Sequence, residues 1–169
     1  MNTIPVKEKP LMLKGMVRII GTKAGTKEIV SDSGWMPNLI MQGSYTGMSL
    51  ILSALADDQT YPAINLTWIG IGTSNTAPAI TDTALGTETT RSAVSSNQQV
   101  TVATGALVVQ AFIPDSQLAN ATYYESGSFI GGSSSVNTGQ IFNHILFASP
   151  YVKGSGQDTT IQMNFNISQ

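Results

Sequence analysis

The C-terminal segment, residues 159–167, constrains the fold more than any other stretch of the chain. Over its last seven residues, apolar and polar side chains alternate strictly. Because successive side chains of a β-strand point to opposite faces, this pattern predicts a strand with one buried face and one polar face. Further strands are predicted wherever β-branched and apolar residues lie between short polar turns, at residues 66–72, 88–95, 98–104, 106–113, 122–130 and 139–148.

Short strands joined by polar turns predict a mainly β fold, an antiparallel β-sandwich of the jelly-roll type with its main sheets in residues 65–169. Residues 11–34 predict an N-terminal β-hairpin. Residues 44–56 carry Met and Leu side chains at helical spacing and predict one short α-helix. Residues 1–10 contain two prolines and predict an extended arm preceding a single domain that spans residues 11–169.

The composition argues against several classes of function. The net charge is −2 and no basic stripe exists, so no binding of nucleic acid is expected. Cysteine is absent and His144 is the only histidine, which excludes disulfides, thiolate chemistry and a zinc site of several histidines. No apolar stretch is long enough to span a membrane, and the N-terminus does not resemble a signal peptide.

The surface is predicted to be polar but poor in charge. Charged residues make up 11% of the chain, against about 25% in a typical soluble domain. Weak self-repulsion of this kind suits a subunit packed among copies of itself. An extracellular β protein with a surface rich in Ser and Thr fits the composition equally well.

The segment from Ile69 to Arg91 has the glycines of a nucleotide loop without the rest of its chemistry. No lysine follows Gly72 to reach a phosphate, and the next residues cannot open a helix cleanly. The segment therefore predicts a strand followed by a structural turn, and no cofactor is expected. Asp82 or the pair Asp57-Asp58 could offer oxygen ligands to calcium, but the spacing of an EF-hand is missing, so no metal site is assigned.

Glu88, Arg91 and Glu125 stand out in a chain with so few charges. Arg91 paired with Glu88 or Glu125 would form a partly buried salt bridge that holds the loop against the sheet; solvated surface charges are the alternative. A glycosidase would need an acid of raised pKa in a cleft, and a serine triad would need His144 beside a nucleophile elbow. Neither pattern is present, so no catalytic residue and no enzyme activity are expected.

Three tyrosines are candidates for an interface or a glycan contact: Tyr123, Tyr124 and Tyr151. Tyr123 and Tyr124 are adjacent, so in a strand they point to opposite faces, and one of them is expected at the surface or at an interface. An exposed ring could stack on a sugar. The sequence therefore keeps open a carbohydrate-binding module that recognises a receptor.

The order of motifs along residues 13–168 resembles a widespread set of virion proteins of tailed bacteriophages. The motifs that carry the resemblance are Gly34-Trp35-Met-Pro-Asn38-Leu39-Ile40, Trp68-Ile69-Gly-Ile-Gly72-Thr73, Asp82-Thr83-Ala84-Leu85 with Glu88 and Arg91, Tyr124-Glu125-Ser-Gly127-Ser-Phe129, Gly139-Gln-Ile-Phe142 and Phe147-Ala-Ser-Pro150-Tyr-Val-Lys153. Such proteins are described as tail fibre, tail-associated or head-decoration proteins. The chain departs from them at His144, where they often carry Arg.

The resemblance implies a non-enzymatic structural subunit that is assembled in the host cytoplasm and resides in the virion. It implies a homo-oligomer, a trimer by analogy, that docks on other virion proteins and in some cases on a host surface glycan. A tail fibre, adaptor or tail-associated protein is the leading interpretation. A capsid decoration or head-fibre protein and the carbohydrate-binding module are the alternatives.

Overall fold

The computed structural model describes residues 12–41, 65–95, 99–101 and 106–168, and at 99–101 and 167–168 it describes the backbone alone. In this part of the chain the fold is mainly β, as predicted, and every pair of neighbouring strands is antiparallel. The strands are β1 Met12–Lys23, β2 Ile29–Asp32, β3 Met36–Ile40, β4 Leu66–Gly72, β5 Glu88–Ala93, β6 Gln99–Thr101, β7 Ala106–Ile113, β8 Thr122–Ile130, β9 Gln140–Val152 and β10 Gln157–Ser168.

The predicted arm, residues 1–10, and the predicted helix, residues 44–56, lie outside the described residues. Within the described ranges the only helical element is a short 3-10 turn, Asp115–Gln117. No helix in those same ranges has the length and apolar character needed to cross a lipid bilayer. β1 and β2 form the N-terminal hairpin.

The strands join into one sheet that is rolled into a nearly closed, barrel-like shape. Its order is β5-β4-β8-β9-β3-β1-β10-β7-β6, with β2 paired to β1 beside β3. The two ends of this order approach each other, because Val94, directly after β5, forms a bridge with Ala111 of β7. The amide of Ser95 also donates to the carbonyl of Gln110 at 2.7 Å.

The interior of the roll is an apolar core built on the alternation of its strands. β1 and β10 pair along their whole lengths, and the strict alternation in β10 places Ile161, Met163 and Phe165 inside. Val17 and Ile19 of β1 face the same core and are fully buried. Each such side chain stabilises the fold by about 1.5–3 kcal/mol relative to an exposed position.

β4, β8 and β9 differ from the other strands because most of their residues are buried on both faces. The inner face joins the main core. The outer face is covered by the loop of residues 73–87, between β4 and β5, and by the loop of residues 131–139, between β8 and β9. A second, smaller apolar cluster lies there, made of Met41, Leu85, Phe129 and Ile141 with Trp68 against it. Two groups of charged side chains are buried under the same loops.

Candidate functional site

Three glycines form the floor of the candidate site on the outer face of β4 and β8. Gly70 lies opposite Arg91 and Gly127, and Gly72 lies next to Glu125. A Cβ on Gly70 would stand 2.3 Å from a carboxylate oxygen of Glu88, and one on Gly72 would stand 2.4 Å from Oε1 of Glu125. The missing side chains therefore provide the space into which the two glutamates fit.

Glu88 and Arg91 form a fully buried ion pair over this floor. Arg91 Nε donates to Glu88 Oε1 at 2.7 Å, and Nη2 donates to Oε2 at 2.6 Å. Both side chains are 0% exposed. The guanidinium also stacks over the ring of Phe129, 4.3 Å from the ring centroid. A bidentate pair on an aromatic face is the geometry that best compensates the loss of water around arginine.

The same ion pair holds the loop of residues 131–139. Arg91 Nη1 donates to the carbonyl of Thr138 at 2.6 Å, while the amide of Asn137 donates to Glu88 Oε2 at 2.7 Å. Asn137 has a φ of 57°, the left-handed conformation that asparagine tolerates better than most residues. The buried charges of Arg91 and Glu88 therefore hold the loop against the sheet through hydrogen bonds to its backbone.

Glu125 fastens the other loop, residues 73–87. Its carboxylate accepts hydrogen bonds from the amides of Gly86 at 2.9 Å, Thr87 at 2.7 Å and Ser74 at 3.2 Å. The side chain is fully buried. Burial alone would raise the pKa of Glu125, but the hydrogen bonds from His144, Thr87 and Gly86 outweigh it and hold the pKa below its ordinary value.

His144 connects Glu125 to a second carboxylate. Its Nε2 lies 2.8 Å from Glu125 Oε2 and its Nδ1 lies 2.9 Å from Asp82 Oδ2. Asp82 in turn accepts the amide of Ala79 at 2.9 Å. Ionised carboxylates only accept hydrogen bonds, so the imidazole donates from both nitrogens when both acids are ionised. The resulting chain Asp82–His144–Glu125 ties the middle and the end of the loop to β8 and β9.

A third buried cluster, around Lys153, lies at the turn between β9 and β10. Lys153 Nζ donates to Asp115 at 2.5 Å and to Asn120 at 3.2 Å. Asp158 accepts the amides of Asp115 at 2.8 Å and Gly25 at 3.0 Å. These contacts fasten the 3-10 turn and the turn of the first hairpin to the start of β10. As in the Glu88–Arg91 cluster and the Glu125 cluster, buried charged side chains form hydrogen bonds with the backbone of loops.

The charged groups of these clusters already have hydrogen-bond partners within the protein, which limits the reactions that they could catalyse. Both nitrogens of His144 face carboxylates, so neither is left to activate a nucleophile as a serine triad requires. The lowered pKa of Glu125 is the opposite of what a general acid needs. No group of three or more His, Cys, Asp or Glu side chains in the described ranges could hold a metal ion. The arrangement is suited to holding loops in place.

The structure divides the three charged residues that the sequence singled out between two clusters. It brings Glu88 and Arg91 together, whereas Glu125 lies against His144 and forms no ion pair with Arg91. Sequence reasoning missed the partnership of Asp82, His144 and Glu125. The signal that could have found it is the pairing of β8 with β9, which places Gly127 opposite His144 and so brings Glu125 within reach of the imidazole.

Two of the three tyrosines are core residues. Tyr123 and Tyr151 are 1% and 6% exposed, and their ring centroids lie 6.4 Å apart. The hydroxyl of Tyr123 donates to the carbonyl of Ala119 at 2.8 Å, and that of Tyr151 lies 2.7 Å from the hydroxyl of Thr159. Tyr124 is half-buried, so it alone among the three has surface to offer a partner or a sugar.

Comparison of the chain with protein-family models, with curated proteins and with solved structures finds no match. The function is therefore argued from the geometry above and from the sequence resemblance.

Proposed function

We propose that this chain is a non-enzymatic structural subunit of a tailed-phage virion, of the tail fibre, adaptor or tail-associated kind. The observation that supports the proposal best is the use of the buried charges. Arg91, Glu125 and Lys153 all bind loop backbone or other charged groups, and none is directed into an open cleft. Their arrangement makes rigid loops on a rolled sheet, which suits a subunit that packs against other chains of a particle.

The surface also supports a subunit that makes contacts with other chains. Few charges oppose association, and large apolar side chains are exposed on several strands and loops. They are Met12, Ile29, Val30, Trp35, Leu39, Ile80, Phe112, Val136 and Val152. Apolar and aromatic residues of this kind are enriched in the centres of protein interfaces. Within the proposal the chain is a homo-oligomer, with a trimer favoured by analogy, that docks on other virion proteins.

The proposal extends to the architecture. We infer that the rolled sheet acts as a jelly-roll-like sandwich, with β5, β4, β8 and β9 as one layer and β1, β10, β7 and β6 as the other. β3 pairs with both β1 and β9 and so joins the two layers. The side chains of both layers fill one core, as two packed sheets require.

Purified particles of a phage that encodes the chain provide the test. Mass spectrometry should find the chain in stoichiometric copies relative to the other tail proteins, and a cryo-EM reconstruction should place it in the tail. Density on the capsid lattice would favour the decoration alternative. A chain that is abundant in the infected cell but absent from purified particles would contradict the virion proposal.

The oligomer and the glycan alternative have separate tests. Native mass spectrometry of the purified chain should show a trimer, and a monomer at all accessible concentrations would contradict that part of the proposal. A glycan array tests the carbohydrate-binding module, which now depends on Tyr124. Saturable binding that is lost in Tyr124→Ala but retained in Phe112→Ala, at an exposed aromatic residue of β7, would favour this alternative.

A further inference from the structure

The loop of residues 73–87 is fastened to the sheet at its two ends by one carboxylate. Glu125 accepts the amide of Ser74 near the start of the loop and the amides of Gly86 and Thr87 near its end. These three donors are backbone groups, so they do not depend on the protonation state of any side chain but Glu125 itself. The ends of the loop should therefore stay in place wherever Glu125 is ionised.

The middle of the loop, the turn of residues 79–82, is fastened separately. Within this turn the amide of Asp82 donates to the carbonyl of Ala79 at 2.9 Å, and Asp82 Oδ2 accepts the amide of Ala79 at 2.9 Å. The same carboxylate oxygen lies 2.9 Å from Nδ1 of His144 in β9. The Asp82 side chain is 30% exposed, so water can solvate its carboxylate when the contact with the imidazole is lost.

The contact between Asp82 and His144 depends on the charge of the imidazole. Nδ1 faces Asp82 and Nε2 faces Glu125. A charged imidazole donates from both nitrogens, whereas a neutral one donates from one nitrogen and directs a lone pair from the other. A neutral ring would therefore direct a lone pair at one of the two ionised acids, which is unfavourable.

The surroundings of the ring supply no other charge. In the described part of the chain its ion pairs are with Asp82 and Glu125, and Gly127 lies opposite it in β8. A cavity of about 290 Å³ lies beside the ring, and its other lining residues, none of which titrates, come from β3, the loop and β9: Pro37, Asn38, Leu39, Pro78, Ile145 and Leu146.

The two acids differ in how they respond to a neutral ring. Glu125 is fully buried, so water cannot relieve a lone pair directed at its carboxylate. Asp82 reaches solvent and can turn away. When the ring loses a proton, the remaining proton is therefore expected on Nε2, facing Glu125, and the lone pair on Nδ1, facing Asp82.

We propose that His144 is a pH-dependent switch for the turn of residues 79–82. The turn is bound to β9 while the imidazole is charged and both acids are ionised. Loss of the Nδ1 proton as the pH rises releases Asp82 to water, and the turn moves away from β9 while Glu125 retains the two ends of the loop. Because Pro78 is the loop's part of the cavity wall, this movement uncovers Leu39 and Leu146 on the opposite side.

NMR of the purified full chain tests the switch, because His144 is the only histidine and its ring gives one pair of nitrogen signals. The two nitrogen shifts nearly coincide in a charged ring and separate in a neutral one. Between about pH 5 and about pH 10, the ring should lose its proton from Nδ1. The protection of the Ala79 and Asp82 amides from hydrogen exchange, corrected for the intrinsic pH dependence of exchange, should fall at least about tenfold in step with that loss. The Gly86 and Thr87 amides should keep their protection.

Two variants assign the effect to these side chains. His144→Gln has no titrating ring and should lose the pH dependence of protection in the turn. Asp82→Ala should lower the protection of the amide at position 82, already at low pH, to the level that the unchanged protein reaches at high pH. Thr83→Ala, at an exposed residue beside the turn, is the matched control and should behave like the unchanged protein. Melting temperatures show whether each variant is folded, and the measurements on the unchanged protein decide even where a variant does not fold.

Several results would overturn the inference. They are a ring whose charge does not change over this pH range, constant protection of the turn while the ring loses its proton, or pH-dependent protection that persists in His144→Gln. An equal fall in protection at Gly86 and Thr87 would show release of the whole loop and would overturn it as well. The inference does not depend on the virion proposal, because every measurement is made on the purified chain, whatever particle analysis finds.

Discussion

Removal of the Arg91 side chain should destabilise the protein more than removal of any exposed charge. Arg91→Ala deletes both hydrogen bonds to Glu88 and the hydrogen bonds to Thr138 and Ser133 in the loop of residues 131–139. It leaves the Glu88 carboxylate fully buried with one backbone donor, the amide of Asn137. Breaking a buried ion pair by removing one partner costs about 3–5 kcal/mol. The loss is a large share of the about 5–15 kcal/mol that stabilises a typical domain.

Removal of both charges of the Glu88–Arg91 pair should reduce the free energy of unfolding less than removal of one charge alone. In the double variant Glu88→Gln/Arg91→Met no charge is left buried, because both new side chains are neutral. Glutamine also keeps the shape of the glutamate, and its side-chain oxygen can still accept the hydrogen bond from the amide of Asn137. We expect this variant to recover a large part of the stability lost in Arg91→Ala. Recovery would identify the stranded carboxylate, rather than lost packing on Phe129, as the main cause of the destabilisation.

Urea unfolding followed by tryptophan fluorescence measures these effects, because Trp68 packs against the small apolar cluster that includes Phe129. The midpoint should fall strongly in Arg91→Ala with little change in the slope. Arg18→Ala, at the exposed pair with Asp32, is the matched control and should unfold almost like the unchanged protein. A loss below about 1 kcal/mol in Arg91→Ala, or a loss equal to that of Arg18→Ala, would refute the reasoning.

Two further predictions concern the glycine floor and Glu125. Gly70→Ala should lower the melting temperature by several degrees, since its Cβ would stand 2.3 Å from the Glu88 carboxylate; Gly154→Ala, whose Cβ meets its nearest atom at 3.6 Å, should melt almost unchanged, and equal shifts would contradict the steric argument. The pKa of Glu125 is lowered in the folded protein, because the hydrogen bonds to its carboxylate outweigh the effect of burial. The carboxylate therefore stabilises the fold at pH values above its pKa in the unfolded chain, about 4.3. This stabilisation is lost as the pH falls through the pKa of the folded state. The stability difference between the unchanged protein and Glu125→Gln, measured by urea unfolding from pH 7 downward, should therefore shrink in acid, and a difference that stays constant would speak against this assignment.

The sequence predicts those parts of the fold that face a single core. Alternation in residues 159–167 predicts which side chains of β10 point inward, and Ile161, Met163 and Phe165 are indeed buried. The same pattern is absent from β4, β8 and β9, because loops cover their second face and both faces are buried. Periodicity therefore predicts that these strands exist but cannot predict what lies over them.

The candidate site depends on contacts that sequence spacing does not encode. Glu88 and Arg91 are three residues apart, a spacing that points side chains to opposite faces of a regular strand, and they meet only because the pairing of β5 with β4 shifts register between Ile71 and Gly72. Glu125 and His144 meet only because β8 and β9 are antiparallel neighbours in one particular register, and a shift of a single residue would turn the imidazole to the other face. Tyr123 and Tyr151 meet in the core through the same pairing.

The glycine floor has a consequence for how such chains can diverge. Position 70 tolerates a side chain only if the carboxylate at position 88 is smaller or displaced, whereas a Cβ at position 72 would also stand 2.4 Å from the backbone carbonyl of Thr87, so a glycine is required there whatever residue occupies position 125. Substitutions at positions 70 and 88 should therefore be correlated, with Gly70 retained wherever Glu88 and Arg91 are both present. A search for distant homologues that scores this linked pair together with an invariant glycine at position 72, rather than single residues, would use the information that the fold preserves longest.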